Sequence, residues 1–405
     1  MSVIEFVDAL LGDERVDLRV EHDVITYLGA HDPQRAVGSD GCEVVRGGRI
    51  TPPMAEPHVH LDAALLGAQA PNRSGTLREG IANWSRLREQ LTVEDVCDRA
   101  MRTAEMYASW GTLRIRTHVD TGSQLAVEAL IELRSDLLVR GIELQVVAFP
   151  QEGILRSASR RAAWERAVEL GCDAVGGIPH FERTTEEGWR TVHMAFELAE
   201  KHGAMVDFHV DETDDPGSRN LEVMCAETID RGWGARVVAG HCTAMHSYPN
   251  PHAAKVIELV AEAGLMVVTN PLDNVVLQGR YDSYPKRRGL TRVDELWAAG
   301  ASVGIGHDSV MDPWYRLGTA NMMDPAYMLL HVGQLTSEAD MCRIFHTLSG
   351  ENHQPWGGPE AIEQGGLARF LWWPDADPVE LLRTRPRPRV FRGCSGGQDV
   401  IRKTF

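Results

Sequence analysis

His58 and His60 stand two residues apart in the run PHVHLD. A strand carries residues of that spacing on one face, so both imidazoles can reach a single ion. Downstream the chain supplies His209 and Glu212 in HVDETDD, His241 in GHCTAMHSY and Asp308 in GHDSV. His58, His60, His209 and Asp308 together offer three imidazole nitrogens and a carboxylate oxygen. That set suits one Zn2+ or Fe2+ and is too rich in nitrogen for Mg2+ or Ca2+. An HxH alone is more often a structural pair; the later His and Asp turn it into a metal-site reading. A divalent ion lowers the pKa of bound water to about 7 and so supplies a nucleophile at neutral pH. Attack on a C=N carbon of an aromatic ring then requires a proton for the ring nitrogen and another for the leaving amine. Glu212, three residues beyond His209, is the candidate for that work; otherwise it is a loop acid among Asp211, Asp214 and Asp215. His241 is placed to stabilise the charge that develops on the nucleophile, its bland alternative being a core histidine.

These residues need elements that bring them together. Eight short runs rich in β-branched residues recur at 49–59, 113–119, 144–149, 174–178, 205–210, 236–239, 265–269 and 302–305. Between them lie segments of helical periodicity such as 93–110, 160–170, 189–201, 221–231 and 253–263, several ending in Gly. Eight strands alternating with helices predict an α/β fold, a parallel (β/α)8 barrel whose active site lies at the C-terminal strand ends. The polar residues at those ends, in order, are His58 and His60; His118 and Asp120; Gln151; His180; His209 and Glu212; His241; Asn270; and His307 with Asp308. Residues 1–49 and 356–405 carry short strand-like runs instead. They are expected to form a small β-sandwich beside a barrel spanning 50–355.

The 405 residues carry a formal charge of −17, with 43% hydrophobic and 24% charged residues, the balance of a globular chain. Such a charge repels a phosphate backbone and no basic stripe offsets it, so nucleic acid is not expected as a partner. The N-terminus lacks a basic start and no apolar stretch approaches membrane-spanning length, which predicts a cytoplasmic protein without membrane association. Seven cysteines without a CxxC pair fit buried thiols better than a disulfide framework or a thiolate zinc site.

Longer motifs carry a resemblance. HVHLD at 58–62, SGTLREGI at 74–81, RTHVD at 116–120, AFPQEGIL at 148–155 and IPHFE at 178–182 are similar to those of bacterial cytosine deaminase, of the amidohydrolase superfamily. So are HVDETDD at 209–215, GHCTAMHSY at 240–248, NPLDNVVLQGRYDSYPKRRGLTRV at 270–293 and GHDSVMDPWYRLGTANM at 306–322. The resemblance covers nearly the whole chain. It implies a single iron or zinc ion on His58, His60, His209 and Asp308, and Glu212 as proton shuttle to the ring nitrogen. It gives His241 and Asp308 the protons of the attacking water. Gln151 would read the ring's carbonyl and NH edge, with Phe149, Leu77 and Trp314 lining the pocket. It also implies the amidohydrolase-type barrel with its β-sandwich, a small pyrimidine-like substrate and a homo-oligomer.

One position departs from the family. Where it has a second aspartate after the metal-binding one, this chain has Ser309, smaller and uncharged. The wall near the ring's substituted edge is therefore expected to be roomier and less polar, which fits a 5-substituted cytosine such as 5-methylcytosine; neutral drift is the alternative. Isocytosine and creatinine are competing rings, and a non-catalytic binding protein on the same barrel is the competing class. A two-metal centre bridged by a carboxylated lysine lacks its bridge, because no lysine lies between Asp173 and Glu182. GCSGG at 393–397 formally fits the serine-hydrolase elbow, but no histidine follows it.

Overall fold

The computed structural model describes residues 3–38 and 41–393; residues 394–397 of GCSGG lie outside them. The chain opens with β1 (Val3–Leu11), β2 (Glu14–Glu21), β3 (Val24–Ala30), β4 (Cys42–Arg46) and β5 (Arg49–Thr51). The barrel strands follow as β6 (Met54–Val59), β7 (Thr112–Asp120), β8 (Glu143–Phe149), β9 (Ala174–Gly177), β10 (Met205–Val210), β11 (Val237–His241), β12 (Met266–Thr269) and β13 (Ser302–Ile305). Two more, β14 (Arg369–Trp373) and β15 (Arg389–Arg392), return to the first group.

Strands β6 to β13 pair in chain order, each parallel to the next, as the eight sequence runs require. The seam between β6 and β13 closes just past the strand ends. Asp308 N–H donates to the His58 carbonyl at 2.9 Å and His60 N–H to the Asp308 carbonyl at 3.2 Å, with a parallel bridge between Val59 and Asp308. Between strands run helices such as Val93–Ser109, Ala158–Glu169, Thr185–His202, Asn220–Arg231 and Asn250–Ala263. Thr92, Ser157 and Thr184 cap their N-termini with side-chain oxygens that accept from backbone amides. Gly203, Gly232 and Gly264 end three of them in the left-handed conformation, with φ of 67°, 64° and 66°.

The single strand expected over 49–59 is divided. Pro52 and Pro53 have no N–H to donate, so the ladder breaks there. β5 joins the terminal sheet and β6 starts the barrel. The terminal sheet has seven strands in the order β15-β14-β5-β1-β2-β3, with β4 parallel to the first half of β1. Its two-layered body is one curled sheet. Ile25 of β3 and Phe370 of β14, from opposite ends of that order, share a core with Phe6, Leu18 and Ile50, and a bridge joins Val24 to Leu367. No helix of the described residues is long and apolar enough to cross a membrane.

Candidate active site

The C-terminal ends of the barrel strands gather the candidate residues around one buried point. Glu56 sets the first pair. Its carboxylate accepts the His58 N–H at 2.8 Å, the His307 N–H at 3.0 Å and the Tyr107 hydroxyl at 2.9 Å. It thereby ties the HVH strand end to the loop that carries Asp308. The His60 Nδ1 lies 3.2 Å from the His118 carbonyl, which turns its Nε2 toward the centre.

There the Nε2 of His209 lies 3.2 Å from His58 Nε2 and 3.0 Å from His60 Nε2. Asp308 Oδ1 lies 3.7 Å and 3.5 Å from the same two nitrogens of His58 and His60. Burial drives the imidazoles of His58 and His209 well below their ordinary pKa and His60 to about 4, so each is neutral and has one ring nitrogen free to bind a cation. Three imidazole nitrogens and a carboxylate oxygen converging at such distances suit a cation between them. Bonds of about 2.1 Å place tetrahedral ligand atoms about 3.4 Å apart, which is the spacing found. The four donors therefore fit a divalent ion. His118 and His241 join wider groupings, His58–His118–His209 and His58–His241–Asp308, within 4.8 Å. His118 faces Asp207 at 3.5 Å, beneath the others, and the tight convergent set is His58, His60, His209 and Asp308.

Glu212 and His241 flank this point. His241 Nδ1 lies 3.7 Å from Glu212 and 3.9 Å from Asp308, and Asn274 Nδ2 holds the same nitrogen at 3.0 Å. Burial, reinforced by Asp273, raises the Glu212 carboxyl to about 8. Burial likewise raises Asp308, with Glu212 adding to it. His241 and Asp308 adopt left-handed backbone, φ 67° and 68°, as does Asp211 at 52°. For residues with a side chain such geometry is costly and commonly sits at functional sites.

A cavity with about 270 Å3 of empty space opens beside these groups. Gln151, Leu77, Trp314 and Ser309 line it together with Glu212 and His241. Trp314 lies over His60, ring centroids 5.6 Å apart. Phe149 is not part of the lining. It sits behind His209, stacked at 4.0 Å and 18°, and so steadies an imidazole instead of touching the cavity. Asn270 lies against His241 at 3.4 Å, and Asp120 accepts from Trp84 Nε1 at 2.8 Å, away from the centre. His180 lines a wider outer opening that shares Leu77, Glu212 and Leu277 with the inner cavity.

Two lining residues were not anticipated, Asp273 and Leu277. Both belong to the helix Pro271–Leu277, which starts directly after β12, and a carboxyl inside NPLDN at a strand end was the available signal. Asp273 changes the reading of Ser309. The serine hydroxyl donates to Asp273 Oδ2 at 2.5 Å, both residues being 1% exposed. The wall at Ser309 is therefore not less polar, as its side chain alone suggested; a carboxyl occupies it from the neighbouring strand's loop.

The amidohydrolase family model matches residues 87–368. The chain is 35% identical to the 5-methylcytosine deaminase of Klebsiella pneumoniae, over 99% of both chains and with a TM-score of 0.89, in a crystal structure liganded with 5-fluorocytosine. It is also 29% identical to a pterin deaminase of Rhizobium rhizogenes over 71% of this chain and 67% of that one. An N-isopropylammelide isopropyl amidohydrolase of Pseudomonas sp. is 25% identical over 77% of this chain and 76% of that one. With this fold and this cluster, the chain belongs to the amidohydrolase family, among its cytosine deaminase-like aminohydrolases.

Proposed function

We propose that the protein hydrolytically deaminates cytosine or a 5-substituted cytosine, giving the corresponding uracil and ammonia. The observation that supports it most is the 35% identity to the 5-methylcytosine deaminase along essentially the whole of both chains. His58, His60, His209 and Asp308 would hold one Fe2+ or Zn2+. When bound, such an ion supplies the Lewis acidity that makes water a nucleophile at neutral pH.

The chain's own groups do the rest. With its pKa near 8, Glu212 carries a proton at neutral pH and delivers it to the ring nitrogen. Its carboxylate then takes up a proton from the attacking water and passes it to the departing amine. His241, between Glu212 and Asp308, donates to the oxygen on which charge builds. Gln151 fixes the ring through the carbonyl and NH edge, Trp314 and Leu77 cover it, and Leu277 closes the same wall.

The inner cavity is small, which favours one ring over two. The likeness to a pterin deaminase supplies the second reading, a two-ring substrate reaching into the outer opening. Ammonia release from a panel of cytosine, 5-methylcytosine, isocytosine, creatinine and pterin by metal-loaded enzyme separates them. Turnover of the cytosines is expected. Turnover of pterin alone, or of no ring by protein holding one equivalent of metal, overturns the proposal.

A further inference from the structure

We infer that Asp273 is a specificity residue that recognises a hydrogen-bond donor on the substrate ring, at the carbon beside the one that loses ammonia. The inference rests on the cytosine reading above and narrows it from any 5-substituent to a hydroxyl- or amino-bearing one. Its starting point is an unsatisfied atom. Asp273 Oδ2 accepts from Ser309, but Oδ1 is buried with no hydrogen-bond partner among the described residues, and the side chain, which lies against the Asp308 carboxyl, lines the substrate cavity. Most buried carboxylate oxygens are paired, and an orphan in a cavity wall awaits a donor from whatever fills the cavity. An acid in the first turn of the helix Pro271–Leu277 suits the helix dipole, yet that accounts neither for its burial nor for the bare oxygen.

Topology says which edge of the ring it meets. Gln151 follows β8 and Asp273 follows β12, four strands apart in a closed ring of eight and so on opposite sides of the mouth. If Gln151 holds the ring's C2 carbonyl edge, Asp273 and Ser309 face the atom across the ring, which in cytosine is C5. A methyl group there would bury against a carboxylate oxygen and leave it unpaired, which costs binding. A hydroxymethyl group would donate to it.

The test compares 5-hydroxymethylcytosine, 5-methylcytosine and cytosine as substrates of the metal-loaded wild type, Asp273→Leu and Asp273→Asn, with metal content measured for each. The wild type is expected to favour the hydroxymethyl ring over the methyl ring in kcat/KM by about 10- to 100-fold, the cost of a buried acceptor left unpaired. In Asp273→Leu that ratio should fall to one or below, and in Asp273→Asn, which keeps an acceptor, it should stay above one. A wild type that handles the methyl ring as well as the hydroxymethyl ring overturns the inference and leaves the deaminase reading standing. If no cytosine is turned over, the deaminase reading fails. Calorimetric binding of the two rings to wild type and Asp273→Leu then decides this point, equal affinities overturning it.

Discussion

Replacing Ser309 with aspartate would set two buried acids against each other. The Ser309 hydroxyl now satisfies Asp273 Oδ2 at 2.5 Å, and both side chains are 1% exposed. The substitution removes that donor, at about 1–3 kcal/mol for a buried acceptor left unpaired. It also adds a carboxylate; two such charges about 4 Å apart repel by about 4 kcal/mol at an effective dielectric of about 20. Asp308, Glu212 and Asp312 surround the pair, and burial already raises Asp273 and Asp308 and brings Asp312 to about 7. Proton uptake is then the favoured response, at about 1.4 kcal/mol per pKa unit. A carboxyl whose folded pKa is raised contributes its stability below the unfolded value and loses it as pH rises through the folded one. The loss of stability in Ser309→Asp should therefore be smallest below about pH 4 and grow to several kcal/mol by pH 8. Adding Asp273→Asn supplies an amide N–H to the new carboxylate and should recover most of the loss, a coupling visible in a double-mutant cycle. Denaturant unfolding at matched metal content measures it. A Ser309→Asp protein as stable as wild type at pH 8, or a double variant that loses the sum of the two singles, refutes the reasoning.

Glu212→Gln keeps the shape but cannot shuttle a proton, so metal content should stay near one equivalent while turnover falls by about 10²- to 10⁴-fold; a loss under about tenfold removes Glu212 from the role. His58→Ala and His209→Ala should lower bound metal along with activity, read by elemental analysis, and full occupancy in both would count against the ligand set. Arg116→Met strips the partner from Asp207, 2.8 Å away with both side chains fully buried, and should cost about 3–5 kcal/mol of unfolding free energy. Adding Asp207→Leu should return much of that loss, and a double variant no better than the single would contradict an ion-pair origin.

The barrel and its strand ends were legible because each strand is a short β-branched run followed by polar residues, a pattern that burial on both faces imposes. The convergence of His58 and His60 was suggested by their spacing, although β6 ends at Val59 and it is the turn after the strand that carries His60. What escaped depends on distance in space. Nothing local says that Thr51 and Met54 belong to different sheets except the two prolines between them. Phe149 was implied as a pocket aromatic by the family resemblance, and only the folded barrel, with β9 between β8 and β10, brings its ring onto His209. Ser309 looked like the loss of a carboxyl because position 309 was judged alone. The compensating acid lies 36 residues earlier, on a different strand's loop, and only the closed barrel brings it within hydrogen-bond reach.

If the proposed donors hold an ion, their position on the barrel ties its walls together. His58 lies at the end of β6 and His60 just past it, His209 lies on β10, and Asp308 follows β13. β6 and β13 are the first and last strands, and at the end of β6 two backbone hydrogen bonds, which make the Val59–Asp308 bridge, hold the seam. β10 stands on the opposite side of the ring. An ion on these four donors therefore links both sides of the seam to the far wall. The left-handed backbone at Asp308 serves the same end, since it aims the carboxylate inward while the residue's N–H and carbonyl stay engaged with His58 and His60. The strained residue closes the barrel and completes the ligand set with one conformation, which is a physical reason for a side-chain-bearing residue to occupy that region there.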